Sequence, residues 1–193
     1  MEIAGELTDE ENWTGGFYEL RLVLGAADDD NLDRAVRSLW RAADVQGCLV
    51  RRAAGSGFAD VELGAAALHE HGHLHGVLTL PSGARAVCGG FLSRYNGVDT
   101  LELYLPLGAL ARVDRRIGGY PFDAHSGVES LTWRAGLDRW LADVAAAVHA
   151  DVPFHRALIG FEIDEDRDIT VDQRYAAVLV SRADGFDYRP ANA

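Results

Sequence analysis

One unbroken stretch decides the fold: HGHLHGVLTL at 71–80, PSG at 81–83, ARAVCGGFLSR at 84–94, YNG at 95–97 and VDTLELYL at 98–105. The PSG segment places a glycine where a three-residue hairpin loop needs a left-handed residue. The Asn-Gly pair is the dipeptide preferred in two-residue type I′ hairpin turns. The stretch therefore predicts an antiparallel meander of three strands, at about 71–80, 84–94 and 98–105.

The two turns also predict which residues lie opposite each other. Across the first turn Leu74 faces Gly90, and across the second Gly90 faces Leu103. Both turns place the even-numbered residues of the middle strand on the apolar side of the sheet. A slip of one residue in either turn would bury the polar side chains instead, so the agreement supports the meander. Gly76 and Gly90 on the apolar side would let a helix approach closely.

Two amphipathic helices are predicted, at about 30–44 and about 130–150, because apolar residues recur there at helical spacing. Asp28 precedes the first helix and is suited to cap its N-terminus. Further segments of alternating polarity are predicted as strands: 17–24, 157–164 and 175–180. The fold class is therefore α+β, with a mostly antiparallel sheet and the two main helices packed on one face.

The composition is that of an acidic globular protein. The chain has 193 residues and a formal net charge of −12, and its 18 basic residues are all arginines. Binding to a phosphate backbone needs a clustered basic surface, so this charge argues against a nucleic-acid partner. No segment reads as a membrane span.

The chain is expected to form a single domain over 13–193, preceded by a solvated acidic lead-in over 1–12. The first residues lack the basic start and apolar core of a secretory signal, and we therefore expect a cytoplasmic location. Cys48 and Cys88 have no metal-ligand spacing and are predicted to be reduced thiols.

The face of the meander that points away from the helices carries an unusual set of side chains. Histidine occupies every second position from His69 to His75, and alternate residues of a strand share one side. The register places next to them the side chains that we predict to bind a ligand or partner: His71, His73, His75, Phe91, Glu102 and Tyr104. Gly89 is expected to leave a gap between His75 and Tyr104.

A divalent metal such as zinc is one ligand that this face could hold, with His71, His73 and His75 as the metal ligands. Glu102 is a further potential ligand, but Phe91 stands between it and His73. Two other interpretations stay open: a polar face that is solvated or lies in an interface, and a cluster of imidazoles that responds to pH.

The function favoured by these patterns is a non-catalytic interaction module that uses the histidine and aromatic face. The expected partner is a second copy of the chain, forming a homodimer, or a basic protein that an acidic inhibitor of the immunity type would neutralise. The alternative is a metal-dependent hydrolase centred on the histidine run from His69 to His75, with Glu102 or Glu162 as general base.

Overall fold

The computed structural model describes residues 2–52, 57–117, 127–163, 174–182 and 185–192. The strands in these ranges are β1 (Phe17–Ala26), β2 (Gln46–Arg51), β3 (Phe58–Asp60), β4 (His73–Thr79), β5 (Arg85–Tyr95), β6 (Val98–Pro106), β7 (Arg156–Phe161), β8 (Ala177–Arg182) and β9 (Gly185–Arg189). The helices are α1 (Glu2–Thr8), α2 (Asp29–Ala42), α3 (Ala65–His71), α4 (Leu107–Val113) and α5 (Leu131–Asp151). None of these helices is long and apolar enough to cross a membrane.

All nine strands belong to one antiparallel sheet. Their order across the sheet is β3-β2-β4-β5-β6-β1-β7-β8-β9. The first strand of the chain therefore lies inside the sheet, paired with β6 on one side and β7 on the other. The fold is α+β, as the sequence predicts.

The meander is confirmed in its register. Leu74 pairs with Gly90 across the first turn, and Gly90 pairs with Leu103 across the second. Asn96 and Gly97 have φ angles of 50° and 74°, the left-handed values that a type I′ turn requires. The strands β5 and β6 keep the predicted bounds within a residue or two, whereas β4 begins at His73 instead of residue 71.

The two predicted main helices pack on one side of the sheet, here called the first face. Asp28 caps α2, and its carboxylate accepts a hydrogen bond from the backbone N–H of Asn31 at 3.0 Å. The apolar stripes of α2 and α5 are buried in one core with the sheet. Fully buried members of these stripes are Leu32, Val36, Leu39, Leu141 and Val148. Each such side chain stabilises the fold by about 1.5–3 kcal/mol relative to exposure.

α2 and the turn after it approach the sheet closely at Gly76 and Gly90, as expected. A methyl group added at Gly90 would lie 2.6 Å from the ring of Trp40 on α2. At Gly76 an added methyl group would lie 2.5 Å from Val45, in the turn that follows the same helix. Both glycines therefore let this part of the chain pack directly on the backbone of the sheet.

The opposite side of the sheet, the second face, is partly covered by the N-terminal segment. The expectation of a solvated lead-in over 1–12 is corrected here, because α1 packs on the sheet and Leu7 is fully buried. Trp13 donates its indole N–H to the carbonyl of Leu7 at 2.8 Å. The acidic composition of this segment concealed its packing. Glu6, for example, pairs with Arg85 at the start of β5, with Nη2 and Oε1 2.9 Å apart.

Several short elements were not predicted. They are the three-residue strand β3, the seven-residue helices α1, α3 and α4, and the edge strand β9. The helix α4 occupies the start of the Gly/Arg-rich connector predicted over 107–127, of which residues 118–126 lie outside the described residues. Elements this short contain too few repeats of a hydrophobic period to be recognised.

Candidate functional site

The candidate site lies on the second face, where four neighbouring strands place polar and aromatic side chains in two rows. One row, from β1 to β4, contains Glu19, Tyr104, Gly89 and His75. The next row contains Arg21, Glu102, Phe91 and His73. Five of the six predicted site residues therefore lie together on one face of the sheet.

His71 is the exception and its predicted place on the strand is wrong. It is the last residue of α3, and Gly72 follows with a φ of 76°, the left-handed conformation that commonly terminates a helix. The Ala-rich segment before it favours helix, so the regular histidine spacing runs across a helix end and a strand start. The Nε2 atom of His71 lies 3.8 Å from Oε1 of the neighbouring Glu70, and Nε2 of His69 lies 3.3 Å from Oδ1 of Asp29 on α2.

The metal site expected from His71, His73 and His75 therefore lacks its first ligand. The rings of His73 and His75 lie almost parallel, with centroids 6.3 Å apart. Within the described ranges, no three His, Cys, Asp or Glu side chains are arranged to hold a metal ion. The strand contributes two imidazoles, and each has a different protein partner.

His75 is buried beneath the N-terminal segment. The rings of Trp13 and Phe58 each meet its ring edge-on, with centroids 5.2 Å away. Its Nδ1 lies 3.3 Å from the carbonyl of Leu49. Burial lowers the pKa of His75 to about 4, so this imidazole is neutral at physiological pH.

The gap expected at Gly89 is filled by Tyr104 itself. The ring of Tyr104 lies across Gly89, where any Cβ atom would overlap it. The Tyr104 hydroxyl lies 3.1 Å from Nδ1 of His73, and its ring packs against Phe17 with centroids 4.6 Å apart. Burial raises the pKa of Tyr104 well above its usual value, so the phenol keeps its proton. The glycine therefore accommodates a protein ring and leaves no cleft for a ligand.

His73 and Phe91 form a stacked pair at the surface. Their ring centroids are 4.8 Å apart and the planes are inclined by 27°. His73 is exposed and Phe91 is half-buried. Partial burial lowers the pKa of His73, which keeps this imidazole neutral near pH 7. Phe91 separates His73 from Glu102, as the register predicts.

Two buried carboxylates from neighbouring strands lie beside this pair. The Nε atom of Arg21 is 3.0 Å from Oε1 of Glu102, and its Nη2 atom is 3.6 Å from Oε2 of Glu19. Arg21 also donates to the carbonyl of Ile163 at 3.0 Å, and the Ile163 N–H donates to Glu19 at 3.4 Å. Burial, followed by repulsion from Glu102, raises the pKa of Glu19 to about 7, against the opposing effect of Arg21.

Glu19 and Arg21 belong to this site but were not among the predicted site residues. Both alternate with apolar residues on β1, which marks them as lying on the non-core face. The missing information was the neighbour of β1, because no tight turn connects this strand to β6 or β7.

Part of the second face carries neither α1 nor a described loop. To one side lie Trp13 and Phe58, and to the other lies a small apolar cluster built on Ile163. The part between them, here called the open patch, consists of exposed or half-buried side chains: Arg21, Val23, His73, Phe91, Ser93 and Thr100. It is a mixed aromatic and polar surface above buried carboxylates.

Comparison with known proteins adds no assignment, since no protein-family model, curated protein or solved structure matches the chain. The fold defines an α+β protein with a nine-stranded antiparallel sheet.

Proposed function

We propose that this protein is a non-catalytic interaction module and that the open patch binds a basic protein. The stacked pair of His73 and Phe91 carries the proposal, because it is an aromatic surface at the centre of a sheet face with no described helix above it. Aromatic side chains are enriched at the energetic centres of protein interfaces.

The net charge of the protein favours a cationic partner. The second face adds little charge of its own, because Arg21 lies between Glu102 and a partly protonated Glu19, and the neighbouring imidazoles of His73 and His75 are neutral at pH 7. The whole chain carries a net charge of −12, which would speed its encounter with a basic protein. A second copy carries the same net charge of −12, and the resulting repulsion makes the homodimer the less favoured partner.

A partner arginine would find complementary chemistry here. Its planar guanidinium can stack on the His73–Phe91 pair, while the buried carboxylate of Glu102, which is paired with Arg21, attracts it without direct contact. An inhibitor that neutralises a basic enzyme, as the composition suggests, would use a surface of this kind.

Titration of an oligoarginine peptide into the purified protein, followed by calorimetry at low and physiological salt, tests this proposal. Phe91→Leu keeps the apolar volume but removes the ring, and His73→Ala removes the other half of the stack. We expect each change to weaken binding by about five-fold, on the scale of one cation–π contact. Phe186→Leu on β9 and His155→Ala are the matched controls, since both residues lie outside the open patch.

If the two control variants weaken binding as much as Phe91→Leu and His73→Ala do, the peptide is attracted by net charge alone. That result, or no binding at all, would overturn the assignment of the open patch. Thermal unfolding of all four variants identifies any change that acts through stability.

A further inference from the structure

The hairpin that joins β5 and β6 extends the second face beyond the end of the neighbouring strand β4. β5 pairs with β4 only as far as Phe91, yet it continues to Tyr95 before the turn. Tyr95 pairs with Val98 at the start of β6. These four residues, Tyr95–Val98, are here called the hairpin tip.

The hairpin tip displays the most exposed large apolar side chains of the described chain. Tyr95 is 74% exposed and Val98 is 38% exposed. By strand alternation Tyr95 lies on the same side as Ser93 and Phe91, so it continues the open patch outward. Leaving a tyrosine ring in water gives up the free energy of its burial, and such residues mark interaction sites when they adjoin a patch.

The hairpin tip is held rigidly against the start of α2. The carbonyl of Gly97 accepts a hydrogen bond from the N–H of Ala27 at 2.8 Å. Arg94 pairs with the buried carboxylate of Asp99 at 2.6 Å and with Asp29 at 2.7 Å. An anchor fixed in this way loses little conformational entropy when a partner binds it.

The surroundings of the hairpin tip are acidic. The segment Asp28-Asp29-Asp30 is exposed where α2 begins, and the N–H of Asp28 lies 3.3 Å from Asp99. Tyr95 projects from the second face, and these carboxylates lie just beyond the turn, on the side of α2. The complementary surface is an apolar pocket with lysines or arginines along the border that faces the turn.

We infer that Tyr95 is the anchor residue of the interface, and that it enters an apolar pocket with a basic rim on the partner protein. This inference rests on the proposed function, because it extends the open patch to the hairpin tip and specifies the partner surface. It assigns the largest single contribution to Tyr95, with the carboxylates orienting the approach.

Photo-crosslinking followed by titration tests the inference. p-Benzoylphenylalanine is placed at Tyr95 of the full chain, and at Asp143, which is exposed on α5, as the control position. A protein from the source cells that crosslinks at position 95 and not at position 143 is identified, produced separately and titrated against wild type, Tyr95→Ala, Tyr95→Phe and Phe91→Leu. We expect an isoelectric point above about 9 for this partner.

The expected affinities separate the anchor from the rest of the surface. Tyr95→Ala should weaken binding by about thirty-fold, the usual scale for loss of an aromatic hot spot, and Tyr95→Phe by less than about three-fold. Unchanged affinity of Tyr95→Ala together with weakened Phe91→Leu would refute the anchor and retain the open patch. Unchanged affinity of both variants would refute both assignments.

Three other outcomes overturn the inference about Tyr95. They are the absence of a crosslink selective for position 95, an acidic captured protein, and capture of a second copy of this chain. The last of these would instead support pairing of two sheets through the hairpin tip.

Discussion

Glu19 and Glu102 lie on neighbouring strands with the guanidinium of Arg21 between them, and this arrangement gives the second face its electrostatic character. Because burial and the Glu102 carboxylate raise the pKa of Glu19 to about 7, Glu19 is partly protonated at neutral pH. When folding raises the pKa of a carboxyl group, ionising that group costs more free energy in the native state than in the unfolded chain. The native state is therefore more stable while the group holds its proton.

Replacement of Glu19 by glutamine should therefore make stability less dependent on pH. The advantage of protonated Glu19 is fully present below its unfolded pKa of 4.5 and is lost as pH rises through about 7. We expect Glu19→Gln to be almost neutral at pH 4.5 and to stabilise the protein at pH 8 by about 1–3 kcal/mol. Urea unfolding at both pH values measures this difference.

The exposed Glu62 provides the control, since Glu62→Gln removes the same charge from a side chain that is 91% exposed. If both variants gain a similar amount of stability at pH 8, the effect comes from the change in net charge. A loss of stability at pH 8 in Glu19→Gln would contradict the raised pKa.

Gly89 and Gly136 should respond in opposite directions to the same added methyl group. Gly89→Ala forces the buried Tyr104 ring to move, and overpacking of this kind costs about 1–3 kcal/mol. Gly136 is exposed within α5 with nothing near its missing Cβ, so Gly136→Ala should stabilise by about 0.5–1 kcal/mol through helix propensity. Denaturant midpoints of the two variants check both signs, and a neutral Gly89→Ala would show that Tyr104 is not fixed by its contacts.

The residues of the site were predictable where a local turn determines their register. The two turns place His73, Phe91, Glu102 and Tyr104 side by side without any further information. His71 was placed wrongly because a helix end falls within the histidine run. The neighbours of Glu102 on β1 could not be predicted, since that pairing joins distant parts of the chain.

The N-terminal segment is the element that divides the second face. Its 3-10 turn, Glu10–Trp13, places Trp13 on His75, and α1 packs over the same strand. The sequence of this segment is rich in glutamates, and its apolar residues are few. Long amphipathic helices and hairpins were therefore predictable from sequence, whereas a short cover with a single tryptophan was not.

Removal of Trp13 should expose His75 and raise the pKa of its imidazole. Because burial is the largest cause of its low pKa of about 4, we expect Trp13→Ala to shift the midpoint upward, toward 6.5. NMR titration of the His75 ring protons measures the change. Trp140→Ala on α5 is the control, since this half-buried tryptophan lies on the opposite side of the sheet, and it should leave the titration of His75 unchanged.

At the scale of the molecule, acidity dominates. The chain has a net charge of −12 and an isoelectric point near 4.9, so copies repel one another at neutral pH. The exposed segment Asp28-Asp29-Asp30 at the start of α2 contributes to that repulsion.

The protein should therefore be monomeric at pH 7.5 and low salt, with a mass of 20.9 kDa by light scattering, and least soluble close to pH 5. A stable dimer at pH 7.5 that Phe91→Leu dissociates would contradict this expectation. It would return the open patch to the homodimer predicted from the sequence.

The position of β1 inside the sheet has a consequence for synthesis. This strand leaves the ribosome early, yet its two neighbours are β6 at residues 98–106 and β7 at residues 156–161. Until β6 and β7 have both been synthesised, the apolar segment of β1 has no partner strands in the nascent chain, and it can aggregate or be bound by a chaperone. Final closure of the fold is thus a late event that depends on distant segments, and such topologies fold slowly.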